Sequence, residues 1–196
     1  MTISTRLSAA IAAIDAANAL DPNEISVRGV RRPKELAHGE LASEWLDRLV
    51  DAPSEALQIA VRAHHIRRWQ SPRSDYPDGR AGYHRWRREL QSFHADQVAE
   101  ILRAVGYEDV LIARVQALVK KQGLGRDPEV QALEDALCLV FLELQFHDLA
   151  ARLEEGKLVD VTRKTLAKMS AAAIALAREL PLDAADVALI ERAAAG

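Results

Sequence analysis

AHHIRRWQSPRSDYPDGRAGYHRWRRELQSFHA, residues 63–95, reads as the end of one helix, a turn-rich loop and most of a second helix. Ser71-Pro72 stops the first, because a residue before proline is pushed out of helical geometry. Pro72, Pro77, Gly79 and Gly82 then supply the turn chemistry of an irregular but fixed loop. The second helix, near 83–105, runs its apolar stripe through Tyr83, Trp86, Leu90, Phe93, Val98, Ile101 and Val105, with Gly106 as a left-handed cap. His94 falls on that inward stripe. From Arg62 to Arg88 the chain carries eight arginines against two aspartates, although its net charge is -3. A local surplus of that kind points to a bound anion, while the overall charge argues against bulk affinity for nucleic acid or anionic lipid.

The flanking segments are helical too. Alanine, leucine, arginine and glutamate recur while the 196 residues hold only 9 glycines and 7 prolines, a balance that favours helix. Residues 3–20 form a first amphipathic helix ended by Asp21-Pro22-Asn23, and 21–32 form a connector. Pro33 opens a second helix to about Val50, whose stripe of His38, Leu41, Ala42, Trp45, Leu46 and Leu49 turns His38 inward. A third, about Ser54 to Trp69, carries Leu57, Val61, His64 and His65 on adjoining parts of one face. A fifth spans about 108–122. A sixth opens at Asp127-Pro128 and runs towards Glu155, and the apolar run 137–142 implies burial on all sides and a central place. Two alanine-rich helices, about 159–180 and 183–194, read as packing partners. The expectation is an all-α, single-domain bundle of about seven or eight helices over 1–196, without a sheet.

One cysteine, Cys138, excludes an internal disulfide, and no apolar run of transmembrane length or secretory leader is visible, so a soluble cytoplasmic protein is expected. Cys138 reads as core, and His84 and His147 as surface or packing. The alanine-rich terminal helices leave a homo-oligomer open.

His38, His64/His65, His94 and Glu134/Asp135 come from four helices, each on or beside an inward stripe. Imidazoles with a carboxylate suit a divalent transition metal, whether zinc, manganese, iron or nickel. Either His64 or His65 is the ligand, and of Glu134 and Asp135 one ligates while the other serves as base or supporting group.

The order and spacing resemble the HD-domain superfamily of metal-dependent phosphohydrolases. AHGELASEWL resembles that family's first-histidine helix, AVRAHHIRRW its doublet helix and LEDALCL its closing aspartate helix, over about residues 33–150. The resemblance implies an HD-like bundle and makes Asp135 the match for the family's aspartate. His64-His65 stands where the family has His-Asp, and an imidazole does not bridge two metals as a carboxylate does, which favours one metal. FHADQVAEILRAVGY resembles the helix that carries additional metal histidines in larger members, and Lys120-Lys121 stands where a further one would be. HHIRRWQSPRSDYPDGRAGYHRWRRELQSFHA and EVQALEDALCLVFLE resemble, more closely, a bacterial and fungal family known only as a domain of unknown function.

The expected activity is therefore metal-dependent hydrolysis of a small phosphorylated or nucleotide-like substrate. His38, His64 or His65, His94 and Asp135 would hold the metal, with Glu134, Lys120 and Lys121 at the reacting centre. Arg67, Arg68, Arg73 and Arg80, with Tyr76 and Trp86, would grip the anion. Two alternatives stand beside it: an iron-dependent oxygenase on the same fold, or a non-catalytic module binding RNA or an acidic partner through the arginine/aromatic loop.

Overall fold

The computed structural model describes residues 5–150 and 152–195. Ten α-helices lie among them: α1 Thr5–Asn18, α2 Lys34–Leu49, α3 Glu55–Ala63, α4 Gly79–Val105, α5 Asp109–Val119, α6 Pro128–Leu144, α7 Phe146–Ala150, α8 Glu155–Leu166, α9 Ala171–Ala177 and α10 Ala184–Ala195. Two 3₁₀ turns, Arg68–Gln70 and Arg73–Asp75, occupy the loop before α4. The architecture is mostly helical. No helix among the described residues is long and apolar enough to cross a membrane.

The helix number exceeds the seven or eight expected, because two long runs are interrupted. The run after Asp127 breaks at Gln145, which separates α6 from α7. The run near 159–180 breaks before Ser170, whose hydroxyl accepts from Ala173 N and starts α9 afresh. The connector also holds a sheet that periodicity missed. β1 (Glu24–Val27) pairs antiparallel with β2 (Val30–Pro33) across Arg28-Gly29, both in the left-handed region at φ 50° and 84°.

That hairpin delivers the chain to α2. Pro33 occupies the N-cap position without a capping side chain, and Asp21 stands in from a distance: its Oδ2 accepts from Glu35 N at 3.0 Å. Its Oδ1 accepts from Asn23 N and Nδ2 at 2.9 and 2.8 Å, locking the turn before β1. Asp21→Ala should therefore cost about 0.5–2 kcal/mol in urea unfolding, the range of a lost helix cap. A loss within about 0.3 kcal/mol would mean that water satisfies this helix end equally well.

Helix α6 packs against α2 and α3, α4 against α5 and α1, and α8 against α10. Leu133, Leu139 and Leu142 of α6 are fully buried among Leu46, Leu57, Ile59, Leu102, Ile112 and Leu118. The run 137–142 is nonetheless not buried all round. Leu137 and Phe141 are half-buried and face a cavity. Gly39 on α2 lies so close to α3 that a Cβ there would meet Arg62 O at 2.7 Å, so the two helices cross nearly backbone to backbone.

Candidate metal centre and anion pocket

Helix α3 ends at Ala63, earlier than the sequence suggests. Ile66 N donates to Ala63 O and Arg68 N to His65 O, and Arg67 adopts φ 50°, so residues 64–67 form a tight turn in place of another helical turn. On a continuous helix His64 and His65 would diverge. In the turn both line one cavity, their ring centroids 4.2 Å apart.

The cavity, of about 300 Å³, also receives His38 from α2, His94 from α4, Lys121 after α5, Glu134 from α6 and Lys168 after α8. Two of these lining residues, His38 and His65, and Glu35 behind them bring a ligand atom each within 4.8 Å of one another. Glu35 Oε2 lies 3.4 Å from His38 Nδ1 and 3.2 Å from His65 Nδ1. Glu35 Oε2 and His65 Nδ1 are thus buried against each other, whereas His94 Nε2 is buried without a hydrogen bond. Buried polar atoms are nearly always satisfied, so the open Nε2 of His94, a residue lining the cavity beside this cluster, fits an absent partner. Two imidazoles with a carboxylate are a donor set suited to a transition metal, and the residues present fit such an ion.

The neighbouring His94 and His64 are each fixed by a backbone carbonyl. His94 Nδ1 lies 2.8 Å from Ile66 O and His64 Nδ1 2.8 Å from Val61 O, which places the proton on Nδ1 and leaves Nε2 with its lone pair. The His94 ring stands 5.7 Å from that of His65. Burial pushes His64 down to about 3 and His94 down to about 4, and burial with neighbouring His64 holds His65 well below its ordinary value. Burial alone would raise the Glu35 carboxyl, but His65 and His38 outweigh it and keep Glu35 ionised.

This arrangement makes stability pH-dependent. The unfolded chain protonates its histidines near 6.5, whereas His94 stays neutral to about 4 and His64 to about 3 in the fold. Between those values the unfolded state binds more protons, so stability falls as pH drops. Each histidine contributes up to about 1.4 kcal/mol per pH unit. Urea midpoints recorded with chelator from pH 7 to 5 should decline, less steeply in His94→Gln. A flat profile would mean that these imidazoles are not buried in neutral form.

The opposite wall is cationic. Lys121, at φ 55° in the left-handed region, turns its ammonium onto Glu134, and Lys168 Nζ lies 3.6 Å from the other Glu134 oxygen. Burial would raise Glu134, but Lys121 and then Lys168 hold it below the usual carboxylate range. Arg68 lines the cavity with its guanidinium 5.2 Å from the Trp86 ring centre and 3.2 Å from His65 Nε2, and Arg87 lines it from α4. Cys138 is on the apolar wall, its thiol pushed up to about 12 by burial first and Glu134 next, too high for a nucleophile at neutral pH.

Of the expected residues, His38, His64, His65, His94, Arg68, Lys121 and Glu134 meet at this cavity. Asp135 points elsewhere: its Oδ1 accepts from Ser170 N at 2.8 Å and Gln131 Nε2 at 3.0 Å, which ties α6 to the start of α9. Lys120 is the C-cap residue of α5 and does not line the cavity. Arg73 spends its guanidinium on the carbonyls of Tyr76 and Pro77, both at 2.8 Å, and so fixes the loop. Arg67 bonds Gln97 Oε1 at 2.5 Å, Arg80 bonds His84 at 3.3 Å, and the Tyr76 hydroxyl donates to Glu89 at 2.9 Å. Trp86 donates to Ser71 O at 3.0 Å and supports Arg68 from below. Glu35 and Lys168 were not singled out by sequence reasoning, and Arg87, expected to be ordinary surface charge, lines the cavity. The signal for Glu35 was its i, i+3 spacing to His38, a pairing that recurs where helices present metal ligands.

Fold and site together define a helical protein with a buried histidine–carboxylate cluster beneath a cationic cavity. Residues 8–190 match the family described as Domain of unknown function (DUF4202), and the chain belongs to that family. No curated protein and no solved structure matches it.

Proposed function

We propose that the protein is a metal-dependent hydrolase of a small phosphorylated or nucleotide-like substrate, in keeping with the sequence resemblance to HD-domain phosphohydrolases. The observation that carries this reading is the Glu35/His38/His65 cluster, whose two histidines line, beside the unsatisfied His94, a cavity shared with Arg68, Arg87, Lys121 and Lys168. Glu35, His38 and His65 would hold a divalent transition metal, which supplies Lewis-acid polarisation and a more acidic water when bound. Arg68, stacked on Trp86, keeps its fork aimed at an anion in the cavity. Lys121 and Lys168, held side by side by Glu134, neutralise charge that develops on the departing group. Glu134, engaged by both lysines, serves as their counter-ion, and His94 Nε2 is the open acceptor for a water proton.

Chelated and metal-replenished protein should be compared for phosphate release from a panel of nucleotides and sugar phosphates. Release is expected only with metal, and Arg68→Lys should lower kcat/KM at least about tenfold because an ammonium does not reproduce the fork. Absence of both metal-dependent release and ligand-induced thermal shift across the panel would overturn the reading. Two histidines with one carboxylate is also the donor set of non-haem iron oxygenases, so oxygen uptake by the ferrous protein, without phosphate release, would select that second reading.

A further inference from the structure

The α4 face that ends in the cavity begins in open solvent. Arg80, His84, Arg87, Gln91 and His94 follow one another at steps of four and three, so they form one row along the helix. Arg87, Gln91 and His94 line the cavity, whereas Arg80 and His84 are exposed on its approach. At the α-helical rise the row is about 21 Å long. The carboxylate that this half of α4 offers, Glu89, is taken by Arg85 at 2.7 Å and by the Tyr76 hydroxyl. Arg80, Arg87 and Arg88 are thereby left without a salt bridge among the described residues, Arg88 acting on Glu89 and Arg87 on Glu134 only at longer range. Beside them the Tyr83 ring, 43% exposed, stands edge-on to His84 at 5.7 Å.

We infer that this row is a track for single-stranded nucleic acid whose terminal nucleotide enters the cavity. The inference rests on the cavity's being an anion site, as proposed above. A free mononucleotide would be satisfied by Arg68, Arg87, Lys121 and Lys168 and would leave the outer arginines without a role. Successive phosphates of a strand meet Arg88, at the edge of the row one turn after His84, and then Arg80 as they leave the cavity mouth, and Tyr83 offers a face on which a base stacks. An acidic peptide would use the charges but not the ring.

The test is fluorescence anisotropy of an internally labelled single-stranded RNA of about eight nucleotides, within the usual site size. A nucleoside monophosphate and a polyglutamate peptide are the competitors, against full-length metal-loaded protein at low salt. The oligonucleotide is expected to bind at least about tenfold tighter than the monophosphate, with a steeper salt dependence. Arg80→Gln with Arg88→Gln, and separately Tyr83→Ala, should each weaken the oligonucleotide by about fivefold or more and leave monophosphate affinity unchanged. Equal affinity for oligonucleotide and monophosphate would overturn the track, as would indifference to these variants or equal competition by polyglutamate. If the monophosphate binds and is hydrolysed while length adds nothing, the track alone fails. If the oligonucleotide binds in this pattern but no metal-dependent hydrolysis occurs, the track stands and the hydrolase reading falls.

Discussion

Protein purified without a metal-binding tag is expected to carry about one transition-metal ion per chain, and His65→Ala to carry less than about a tenth of that. Glu35, His38 and His65 already hold their ligand atoms within 4.8 Å of one another, and His64 and His94 are neutral at pH 7, so local imidazolium charge does not oppose a cation. An ion present at about a hundred times its dissociation constant adds about 2.7 kcal/mol to folding. For a chain of this length a chelator should therefore lower Tm by about 5–10 °C. Asp135→Asn is the informative control, because Asp135 accepts from Ser170 N and Gln131 and lies outside the cluster. It should keep its metal while His65→Ala and Glu35→Ala lose theirs. Loss from Asp135→Asn equal to that from His65→Ala would show that the ligand set is another one, and an unchanged Tm on chelation would remove the metal altogether.

The second large effect is on folding. Leu139 is fully buried on α6, the helix that α2 and α3 pack against. Leu139→Ala should cost about 2–5 kcal/mol, from lost burial and from a void that rigid neighbours do not close. Phe141→Ala should cost less than a full core aromatic, since one side of its ring is already open to the cavity. Urea unfolding of both variants gives the comparison. A Leu139→Ala loss under about 1 kcal/mol would contradict the central place of α6.

Helical periodicity in the sequence was enough to turn His38 and His94 inward and to set Glu134 on or beside an inward stripe, and all three line the same cavity in the structure. It did not reach Glu35. A first-turn carboxylate is common as a partner of the helix dipole, and only the close crossing of α2 and α3 brings this one against His65. Asp135 illustrates the reverse. Its place in the motif suggested a ligand, but burial satisfied by a backbone N–H from a distant turn has no sequence signature. The arginine loop likewise looked uniform by charge. Which guanidinium reaches the cavity depends on which carbonyls the others must hold, as with Arg73 and the carbonyls of Tyr76 and Pro77. The share of α8 and its following turn in the cavity, through Thr165 and Lys168, was hidden because an alanine-rich segment reads as packing.

The bare backbone contact between Gly39 and the carbonyl of Arg62 acts on the cluster like the pivot of a pair of pliers. One jaw carries Glu35 and His38, the other leads into His65, and the width of their grip is set by main chain touching main chain. Even alanine at 39 would prise the jaws apart, because its Cβ would meet the Arg62 carbonyl at 2.7 Å.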